Sequence, residues 1–183
     1  MPTKLVILDR DGVINLDSAQ FIKNPAEWKP IPGSLEAIAR LTQSGYKVVV
    51  ATNQSGVGRG LFDMEMLNQI HSKMHKAVVA LGGRIDAIFY CPHAADSQCD
   101  CRKPKSGMLK RISETFNVDL AGVPAIGDSL RDLQACAAVG CQPMLVMTGK
   151  GTKTKAENSL PEGTLEFADL AAAVNHILAK EKK

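Results

Sequence analysis

The feature that most constrains the fold is the alternation of short, nearly unbroken apolar runs with longer segments in which apolar residues recur at helical spacing. Unbroken hydrophobicity predicts strands that are buried on both faces, as in a parallel sheet covered by helices. Strands that alternate with helices further predict right-handed crossovers. The predicted strands comprise residues 4–8, 46–51, 85–90, 123–126 and 144–147. We therefore predict an α/β fold with a doubly wound, mainly parallel sheet.

The segments between these strands carry helical patterns and no sign of a second domain. Helices are predicted over residues 34–44, 63–81, 107–116, 130–139 and 167–180. Residues 148–164 are rich in Gly, Lys and Thr and are predicted to form a loop. The 183 residues contain no internal repeat and no linker, so we predict a single domain over residues 1–183. The gaps after the first two strands hold only a short flap and one helix, which predicts that a large cap domain is absent.

Composition favours some classes of function over others. Lys and Arg (22) outnumber Asp and Glu (19), and the formal net charge of +3 suits a small anionic substrate. Aromatic residues make up only 4% and basic residues are dispersed, so no nucleic-acid partner is predicted. No apolar run approaches the roughly 20 residues of a membrane helix, and the N-terminus lacks the layout of a signal peptide. We predict a cytoplasmic protein with no membrane partner, and a monomer because no long exposed apolar face is evident.

Two acidic residues follow the first predicted strand directly. Asp9 and Asp11 are two positions apart in an extended segment, so both carboxylates can point to the same side, and Gly12 permits a tight turn. At the carboxyl edge of a sheet, such a pair can hold a hard cation and leave one group for nucleophilic attack. Taken alone, a solvated turn at a strand end explains the pair at least as well.

Three later segments also place polar residues where they could serve a phosphate site. Thr52 begins a Thr-Asn-Gln-Ser-Gly turn, in which hydroxyl and backbone N–H groups can cradle a phosphate. Lys103 can supply a point charge for a phosphate oxygen. Asp128 follows the fourth strand and could complete an oxygen ligand set for Mg²⁺, with Asp132 one helical turn later. Singly, these residues are also explained by turn chemistry, a solvated lysine and a helix N-cap.

In this order, the four segments resemble the four motifs of the haloacid dehalogenase (HAD) superfamily over most of the chain. The resemblance implies a HAD-like Rossmannoid fold and a phosphatase reaction in which Asp9 attacks phosphorus to form an aspartyl-phosphate. It implies that Asp11 protonates the leaving alcohol and then deprotonates the hydrolytic water, while Thr52 and Lys103 hold the phosphoryl group. Mg²⁺ would be bound by Asp9, the backbone carbonyl of Asp11, and Asp128.

Charge balance favours the same chemistry. A phosphate dianion repels a carboxylate nucleophile, so Mg²⁺ and Lys103 must offset charge before attack can occur. A carboxyl group that donates and then accepts a proton is worth roughly 10²–10⁴ in rate. The presence of Asp11 therefore favours a phosphatase over relatives with other chemistry. Val13, where many members have Thr, removes a turn hydrogen bond but no catalytic group.

A second metal site is predicted in a zinc-binding loop over residues 91–101. The loop offers three thiolates and one imidazole, from Cys91, His93, Cys99 and Cys101. This set matches a closed structural Zn²⁺ site, and in a reducing compartment a metal is favoured over disulfides. The zinc would fold a loop that lacks a core of its own, and would thereby position Arg102 and Lys103.

Four other residues with possible chemistry are assigned structural roles. Cys136 and Cys141 lie among Ala, Val and Gly, which predicts small, buried apolar side chains. His71 and His75 have the spacing of metal ligands on a helix, but no third ligand is evident. We predict that both lie on a solvated helix face shared with Lys76.

Within the superfamily, the zinc loop followed by Arg-Lys-Pro is similar to two groups of phosphatases. One group removes the 7-phosphate of D-glycero-D-manno-heptose 1,7-bisphosphate, in nucleotide-heptose synthesis for lipopolysaccharide. The other acts on histidinol phosphate in histidine biosynthesis. Residues 52–60 and 148–151 look like the heptose group, whereas the short zinc loop keeps the histidinol-phosphate group as the alternative.

The two substrates call for different recognition chemistry. A substrate with two phosphates favours additional cations, such as Arg102 and Arg59, whereas the amine and imidazole of histidinol phosphate favour an acidic partner. Residues 17–20 depart from the usual heptose pattern, so the anomer preference stays open. By resemblance, the predicted substrate-binding residues are Asp9, Arg10, Asp11, Asp17, Gln20, Thr52, Asn53, Gln54, Ser55, Arg102 and Lys103.

Overall fold

The computed structural model describes residues 3–181, which form a six-stranded sheet in the order β3-β2-β1-β4-β5-β6. All five strand pairs are parallel. The strands span Leu5–Leu8 (β1), Lys47–Asn53 (β2), Ala87–Cys91 (β3), Pro124–Gly127 (β4), Gln142–Val146 (β5) and Leu165–Phe167 (β6). The predicted α/β class and the doubly wound parallel sheet are confirmed. The single domain over residues 1–183 stays a prediction, and its first two and last two positions lie outside the described residues.

Seven α-helices lie between or after the strands within the described part of the chain. They span Ser34–Gln43 (α1), Ser55–Gly58 (α2), Met64–Ala80 (α3), Gly107–Phe116 (α4), Leu130–Ala137 (α5), Gly151–Ala156 (α6) and Leu170–Lys180 (α7), with a 3₁₀ turn at Pro25–Glu27. Side-chain caps define two of the starts. Asp63 accepts a 2.8 Å hydrogen bond from Met66 N before α3, and Asp169 accepts one of 2.8 Å from Ala172 N before α7.

The prediction of a loop over residues 148–164 was wrong. The segment contains α6. The strand β6 follows the segment, and its last residue, Phe167, belongs to the range 167–180 that was predicted to be helical. Glycine is a weak helix former, but the first position of α6 requires it, because a Cβ atom at Gly151 would clash with the carbonyl oxygen of Val146. A helix of six residues and a strand of three are too short to show a periodic apolar pattern, so tertiary contacts define them.

Alternate residues of the central strands feed two separate cores. Val6 and Leu8 of β1 pack with apolar residues of α1, α3 and α7 on one face of the sheet. Leu5 and Ile7 pack with α4 and α5 on the other face. This two-sided burial explains why the strands are almost continuously apolar. Cys136 lies in the second core with Cys141, which confirms their predicted roles as buried apolar residues.

The strand order brings the predicted chemical residues to one edge. β1 pairs with β2 on one side and with β4 on the other, so Leu8 lies beside Val50 and Ile126. The backbone N–H of Asp9 continues this register by donating to Ile126 O at 2.9 Å. The carboxyl ends of β1 and β4 form the switch point of the sheet, where such folds bind ligands.

Little else covers this edge. Within residues 3–181, a flap with one 3₁₀ turn follows β1, and the short helix α2 follows β2, so the predicted absence of a large cap is confirmed. Among these same residues, no helix has the length and hydrophobicity needed to cross a bilayer.

Candidate active site

A cavity of about 210 Å³ opens at the carboxyl edge of the sheet, and its walls are strongly charged. Its acidic lining residues are Asp9, Asp11, Asp17, Asp128 and Asp132. Its basic lining residues are Arg59, Arg102, Lys103, Arg131 and Lys150. Opposite charges that line one cavity can bind a metal ion and an anionic substrate together.

Asp9 lies at the centre of the cavity floor. Its Oδ1 accepts hydrogen bonds from its neighbour Arg10 N at 2.8 Å and from Lys103 Nζ at 3.2 Å. Burial raises the pKa of Asp9 well above its ordinary value, and the charge of Asp132 raises it further. A buried carboxylate in this setting needs a nearby cation in order to stay ionised.

Lys103 is the cation closest to Asp9. Its ammonium group contacts three oxygens, Asp132 Oδ1 at 2.7 Å, Ala51 O at 2.7 Å and Asp9 Oδ1 at 3.2 Å. Although burial acts in the opposite direction, Asp132 and Asp9 raise the pKa of Lys103 to about 12. Lys103 therefore carries a fixed positive charge with all three N–H donors in use.

Asn53 fixes the backbone that carries Lys103. Asn53 Nδ2 donates to Lys103 O at 3.1 Å, and Lys103 N donates to Asn53 Oδ1 at 3.0 Å. This reciprocal pair joins the end of β2 to a loop 50 residues away in sequence. The loop thereby gains a fixed distance from the sheet edge.

Three carboxylates form a cluster that fits a hard cation. Oxygens of Asp9, Asp128 and Asp132 all lie within 4.8 Å of one another. Burial, and then the charge of Asp132, raise the pKa of Asp128 to about 7. Carboxylates this close repel one another, and a bound Mg²⁺ would relieve the repulsion with the oxygen ligands that it prefers.

Asp128 and Asp132 are held differently. Asp128 Oδ2 accepts from Lys150 N at 2.8 Å, and Asp128 O accepts from Thr154 Oγ1 at 2.8 Å, so the segment around α6 fixes Asp128. Asp132 Oδ2 accepts from Ser129 N at 3.1 Å in a capping box at the start of α5. Although burial acts in the opposite direction, Lys103 holds the pKa of Asp132 below its ordinary value.

Asp11 points away from this cluster, toward Arg10. Asp11 Oδ1 accepts from Arg10 Nε at 3.0 Å, from Arg10 Nη2 at 2.8 Å and from Asn15 Nδ2 at 2.9 Å. Its Oδ2 accepts from Gln54 Nε2 at 3.0 Å. Although burial acts in the opposite direction, Arg10 and these hydrogen bonds lower the pKa of Asp11.

His71 is part of the same network, and its predicted place on a solvated helix face was wrong. The side chain is buried, and its Nε2 lies 3.1 Å from Arg10 Nη1, whereas His75 and Lys76 are exposed. Burial and the charge of Arg10 lower the pKa of His71 to about 3, so the ring is neutral. The sequence showed only the spacing of two histidines on a helix, and the contact with Arg10 spans 61 positions.

Two glycines allow the chain to pass close to Asp128. Gly12 (φ +82°) and Gly149 (φ +58°) both adopt the left-handed region, and a Cβ on either would clash with Asp128 Oδ2. Thr148 Oγ1 donates to Gly12 O at 2.6 Å and ties the two segments together. Only glycine combines this backbone conformation with this proximity.

Three arginines face the cavity without a carboxylate partner. Among the described residues, Arg59, Arg102 and Arg131 form no salt bridge, and Arg102 Nη1 is buried without any hydrogen-bond partner. Burial, together with the charges of Arg131 and Arg59, lowers the pKa of Arg102. Unpaired guanidinium groups in one cavity repel one another, so an anion bound there would be strongly stabilised.

Not every residue predicted to bind substrate lies on the cavity wall. Asp17, Asn53, Gln54 and Ser55 line the cavity together with the residues described above. Thr52 is buried and accepts from Gln54 Nε2 at 2.9 Å, and Arg10 is wholly buried behind Asp11. Gln20 is exposed and lines a neighbouring groove, which shares Asp17 with the cavity.

The four predicted zinc ligands converge in space. Ligand atoms of Cys91, His93, Cys99 and Cys101 all lie within 4.8 Å of one another, and the three cysteines are free thiols. Cys91 Sγ lies 3.0 Å from Cys101 Sγ, 3.7 Å from Cys99 Sγ and 3.5 Å from His93 Nδ1. Tetrahedral ligands at about 2.3 Å from zinc would lie about 3.5–3.8 Å apart, so a small adjustment accommodates the ion.

Comparisons with known proteins agree with this geometry. Residues 4–129 match the family model described as polynucleotide kinase 3 phosphatase, and residues 100–173 match one described as HAD-hydrolase-like. The chain is 61% identical, over 175 residues, to the D-glycero-beta-D-manno-heptose-1,7-bisphosphate 7-phosphatase of Bordetella bronchiseptica, covering 96% of this chain and 98% of that protein. It is 55% identical to the protein of the same name from Pseudomonas aeruginosa over 178 residues, 97% of this chain and 99% of that protein.

A solved structure is equally similar. The crystal structure of D,D-heptose 1,7-bisphosphate phosphatase from B. bronchiseptica, complexed with magnesium and phosphate, matches with a TM-score of 0.96. The sequence identity is 60%, and the match covers 97% of this chain and 99% of that chain.

Proposed function

This chain belongs to the phosphatases of the haloacid dehalogenase superfamily, and on that premise we propose that it removes the 7-phosphate of D-glycero-β-D-manno-heptose 1,7-bisphosphate. The observation that carries the proposal is the position of Lys103 Nζ, 3.2 Å from Asp9 Oδ1, beside a cluster of three carboxylates. The near full-length similarity to enzymes named for this substrate supports the choice of sugar.

The reaction proceeds in two displacements at phosphorus. An Asp9 oxygen forms a bond to phosphorus while the bond between phosphorus and the C7 oxygen of the sugar breaks, which leaves an aspartyl-phosphate. The departing sugar oxygen takes a proton from Asp11. Asp11 then takes a proton from water, whose oxygen attacks phosphorus and releases inorganic phosphate and the Asp9 carboxylate.

Asp11 must hold a proton at the first displacement, although Arg10 lowers its pKa in the free site. A bound phosphate dianion adds negative charge beside Asp11, and like charge raises the proton affinity of a carboxylate. Asp11 can therefore take up a proton as substrate enters, and can return to the ionised state when phosphate departs.

Mg²⁺ is the metal that we assign to the carboxylate cluster. Asp9, Asp128 and the backbone carbonyl of Asp11 would hold it, while Asp132 keeps its contacts with Lys103 and Ser129. When bound, Mg²⁺ offsets the charge of the phosphoryl oxygens and so allows a carboxylate to approach. Lys103 contributes a second positive charge beside Asp9, and Thr52 supports the site by accepting a hydrogen bond from Gln54.

The unpaired arginines favour a substrate with a second phosphate. We assign Arg59, Arg102 and Arg131 to the phosphate at C1, because guanidinium groups bind phosphate oxygens through paired N–H donors. The same three charges repel the amine of histidinol phosphate. The alternative of a histidinol-phosphate phosphatase is therefore not favoured, and the five relatives at 50–61% identity all carry the heptose name.

Substrate comparison tests this function directly. We expect kcat/KM for the β-anomer of the heptose bisphosphate to exceed that for the α-anomer and that for histidinol phosphate by at least about 10-fold. Asp9→Asn should abolish phosphate release while circular dichroism shows an intact fold. Retained turnover in Asp9→Asn would refute the nucleophile, and preference for histidinol phosphate would refute the substrate.

Three further assignments complete the proposal. The cluster of Cys91, His93, Cys99 and Cys101 binds a structural Zn²⁺, because it offers four ligands and no position for substrate. The chain acts as a monomer, because residues 3–181 leave only a few large apolar side chains exposed, and light scattering would test this. A reducing cytoplasm keeps the thiolates available, and the product feeds nucleotide-heptose and lipopolysaccharide synthesis.

A further inference from the structure

The buried contact between His71 and Arg10 has no part in the reaction as described above. His71 lies on α3 with 8% of its surface exposed, and Arg10 is fully buried. A guanidinium group can only donate hydrogen bonds, so Arg10 Nη1 donates to His71 Nε2 across 3.1 Å. The neutral imidazole therefore carries its proton on Nδ1.

The rest of the guanidinium group is directed at Asp11. Arg10 Nε and Nη2 donate to Asp11 Oδ1 at 3.0 and 2.8 Å, and Nη2 also lies 3.3 Å from Gln54 Oε1. Gln54 Nε2 in turn donates to Asp11 Oδ2 at 3.0 Å. His71 is thus the outermost member of a chain of contacts that ends on both oxygens of Asp11.

Burial makes this chain of contacts rigid. A planar guanidinium group held at one end by His71 and at the other by Asp11 cannot rotate without leaving a buried donor unpaired. The carboxylate of Asp11 is itself about one quarter exposed, on the side that faces the cavity. The contact at His71 therefore restricts where Asp11 can present its proton.

We propose that His71 is a positioning residue for proton transfer, which acts through Arg10 to hold Asp11 at the leaving oxygen of the substrate. The inference rests on the acid–base role of Asp11 in the proposed function. Without His71, Arg10 gains freedom, Asp11 loses its fixed orientation, and expulsion of a sugar alkoxide slows. Formation of the aspartyl-phosphate is spared for a substrate whose leaving group departs without a proton, whereas the later attack of water still needs Asp11 for every substrate.

The test compares the single-turnover release of two leaving groups in the wild type and in three variants at position 71. The leaving groups are the sugar alkoxide of the heptose bisphosphate and the stable 4-nitrophenolate of 4-nitrophenyl phosphate. His71→Leu removes the acceptor. His71→Gln restores one, because Oε1 is as many bonds from Cα as Nε2, whereas the oxygen of His71→Asn is one bond too short. His75→Leu, one turn along the same helix and exposed, is the matched control.

We expect His71→Leu and His71→Asn to lower kcat on the sugar phosphate about 10- to 100-fold with little change in KM. In a single turnover, the release of 4-nitrophenolate should change less than about 3-fold. His71→Gln should recover most of the lost rate, and His75→Leu should match the wild type. If His71→Leu does not fold, the comparison of His71→Gln with His71→Asn on the sugar phosphate alone still tests whether the acceptor for Arg10 is needed.

Two results would overturn the positioning role. Equal losses in the single-turnover release of both leaving groups would show that His71 only supports the fold, and wild-type rates in His71→Asn would show that the contact is dispensable. Asp11→Asn separates this inference from the function itself. A leaving-group-dependent loss in Asp11→Asn but not at position 71 refutes the positioning role alone, whereas no such dependence in Asp11→Asn refutes the acid–base assignment.

Discussion

Lys103 Nζ lies 2.7 Å from Asp132 Oδ1, closer than its 3.2 Å distance from Asp9 Oδ1. Asp132 divides its two oxygens between two tasks, since Oδ2 accepts from Ser129 Oγ at 2.8 Å in the cap of α5. The carboxylate of Asp132 thereby links the start of α5 to Lys103, the cation that contacts Asp9. The position of Lys103 is fixed by the fold as well as by Asp9.

Replacement of Asp132 by Asn should therefore impair catalysis, although the proposal assigns Asp132 no contact with the substrate. Asn keeps an acceptor for Ser129 but leaves Lys103 with one carboxylate partner in a buried site. We expect kcat/KM to fall about 10- to 100-fold and the free energy of unfolding to fall by about 1–3 kcal/mol. Steady-state kinetics and urea unfolding measure the two effects.

Asp119→Asn provides the control, because Asp119 is an exposed carboxylate that accepts only a local hydrogen bond from Ala121 N. It should change the rate less than about 2-fold, since exposed charges far from a site have small effects. Wild-type activity in Asp132→Asn would contradict the orienting role of Asp132.

The parts of the fold that could be predicted are those in which one local pattern decides the outcome. The runs at β1 and β2 are apolar on both faces because two separate cores cover them, and the sequence alone predicts this two-sided burial. The helix α6 begins at a close contact of Gly151 with Val146, and the strand β6 is defined by its pairing with β5, so neither element has a periodic apolar pattern that would reveal it.

The candidate site divides in the same way. Asp9 and Asp128 could be predicted to lie near each other because each directly follows a strand, and parallel strands end at one edge. His71 and Arg131 lie on helices, and only the packing of α3 and α5 decides which way they face. Lys150 fixes Asp128 through its backbone N–H, a group that every residue except proline possesses. The identity of residue 150 therefore could not predict this contact.

Metal-free protein should lose stability as pH rises from 6.5 to 8. The folded pKa of Asp128 is about 7, above its ordinary value of 3.8, so the native state binds a proton that the unfolded state has already lost. Stability from such a group is complete below the unfolded pKa and disappears as pH passes the folded pKa. We expect a loss of about 1 kcal/mol across this window, measured by urea unfolding after dialysis into magnesium-free buffer.

Asp11 and Asp132 do not mask this trend, because their folded pKa values are lowered and their contributions change at acidic pH, below the window. Asp9, whose pKa is raised well above its ordinary value, changes stability in the same direction as Asp128. His71 has a folded pKa of about 3 and an ordinary value of 6.5, so it gains stability at the lower edge of the window and offsets part of the loss. Saturating Mg²⁺ should remove the loss, because the ion replaces the proton, and Asp128→Asn should show a smaller loss of stability over this window than the wild type. A metal-free protein that gained stability over the same range would contradict a raised pKa at Asp128.

Zinc removal should loosen the 91–101 loop and weaken substrate binding without touching the nucleophile. Cys101→Ser removes a buried ligand next to Arg102, so zinc content should fall well below one ion per chain. We expect a lower thermal midpoint and a higher KM for the bisphosphate, because Arg102 loses its fixed position. Elemental analysis, thermal unfolding and kinetics check these outcomes.

Cys141→Ala is the matched control for the zinc variant, since Cys141 is also buried but lies in the second core, outside the loop. It should retain a full complement of zinc and should lose only the packing of one sulfur atom. Unchanged thermal stability in fully zinc-depleted wild-type protein would show that the ion has no structural role.

Gly149→Ala should weaken magnesium binding by moving Asp128. Gly149 has φ +58°, and a Cβ there would clash with Asp128 Oδ2 and lie 2.6 Å from Gly12 Cα. We expect the half-saturating Mg²⁺ concentration to rise at least about 10-fold, since ligand oxygens tolerate little displacement.

Gly122→Ala has a similar φ of +73° with nothing within 4 Å of the new Cβ, so it carries the backbone strain without the clash. Backbone strain should cost each variant about 1 kcal/mol of stability, the clash should cost Gly149→Ala more, and only Gly149→Ala should lose magnesium affinity. Equal magnesium affinity in the two variants would show that Asp128 can move freely, and would remove Asp128 from the proposed ligand set.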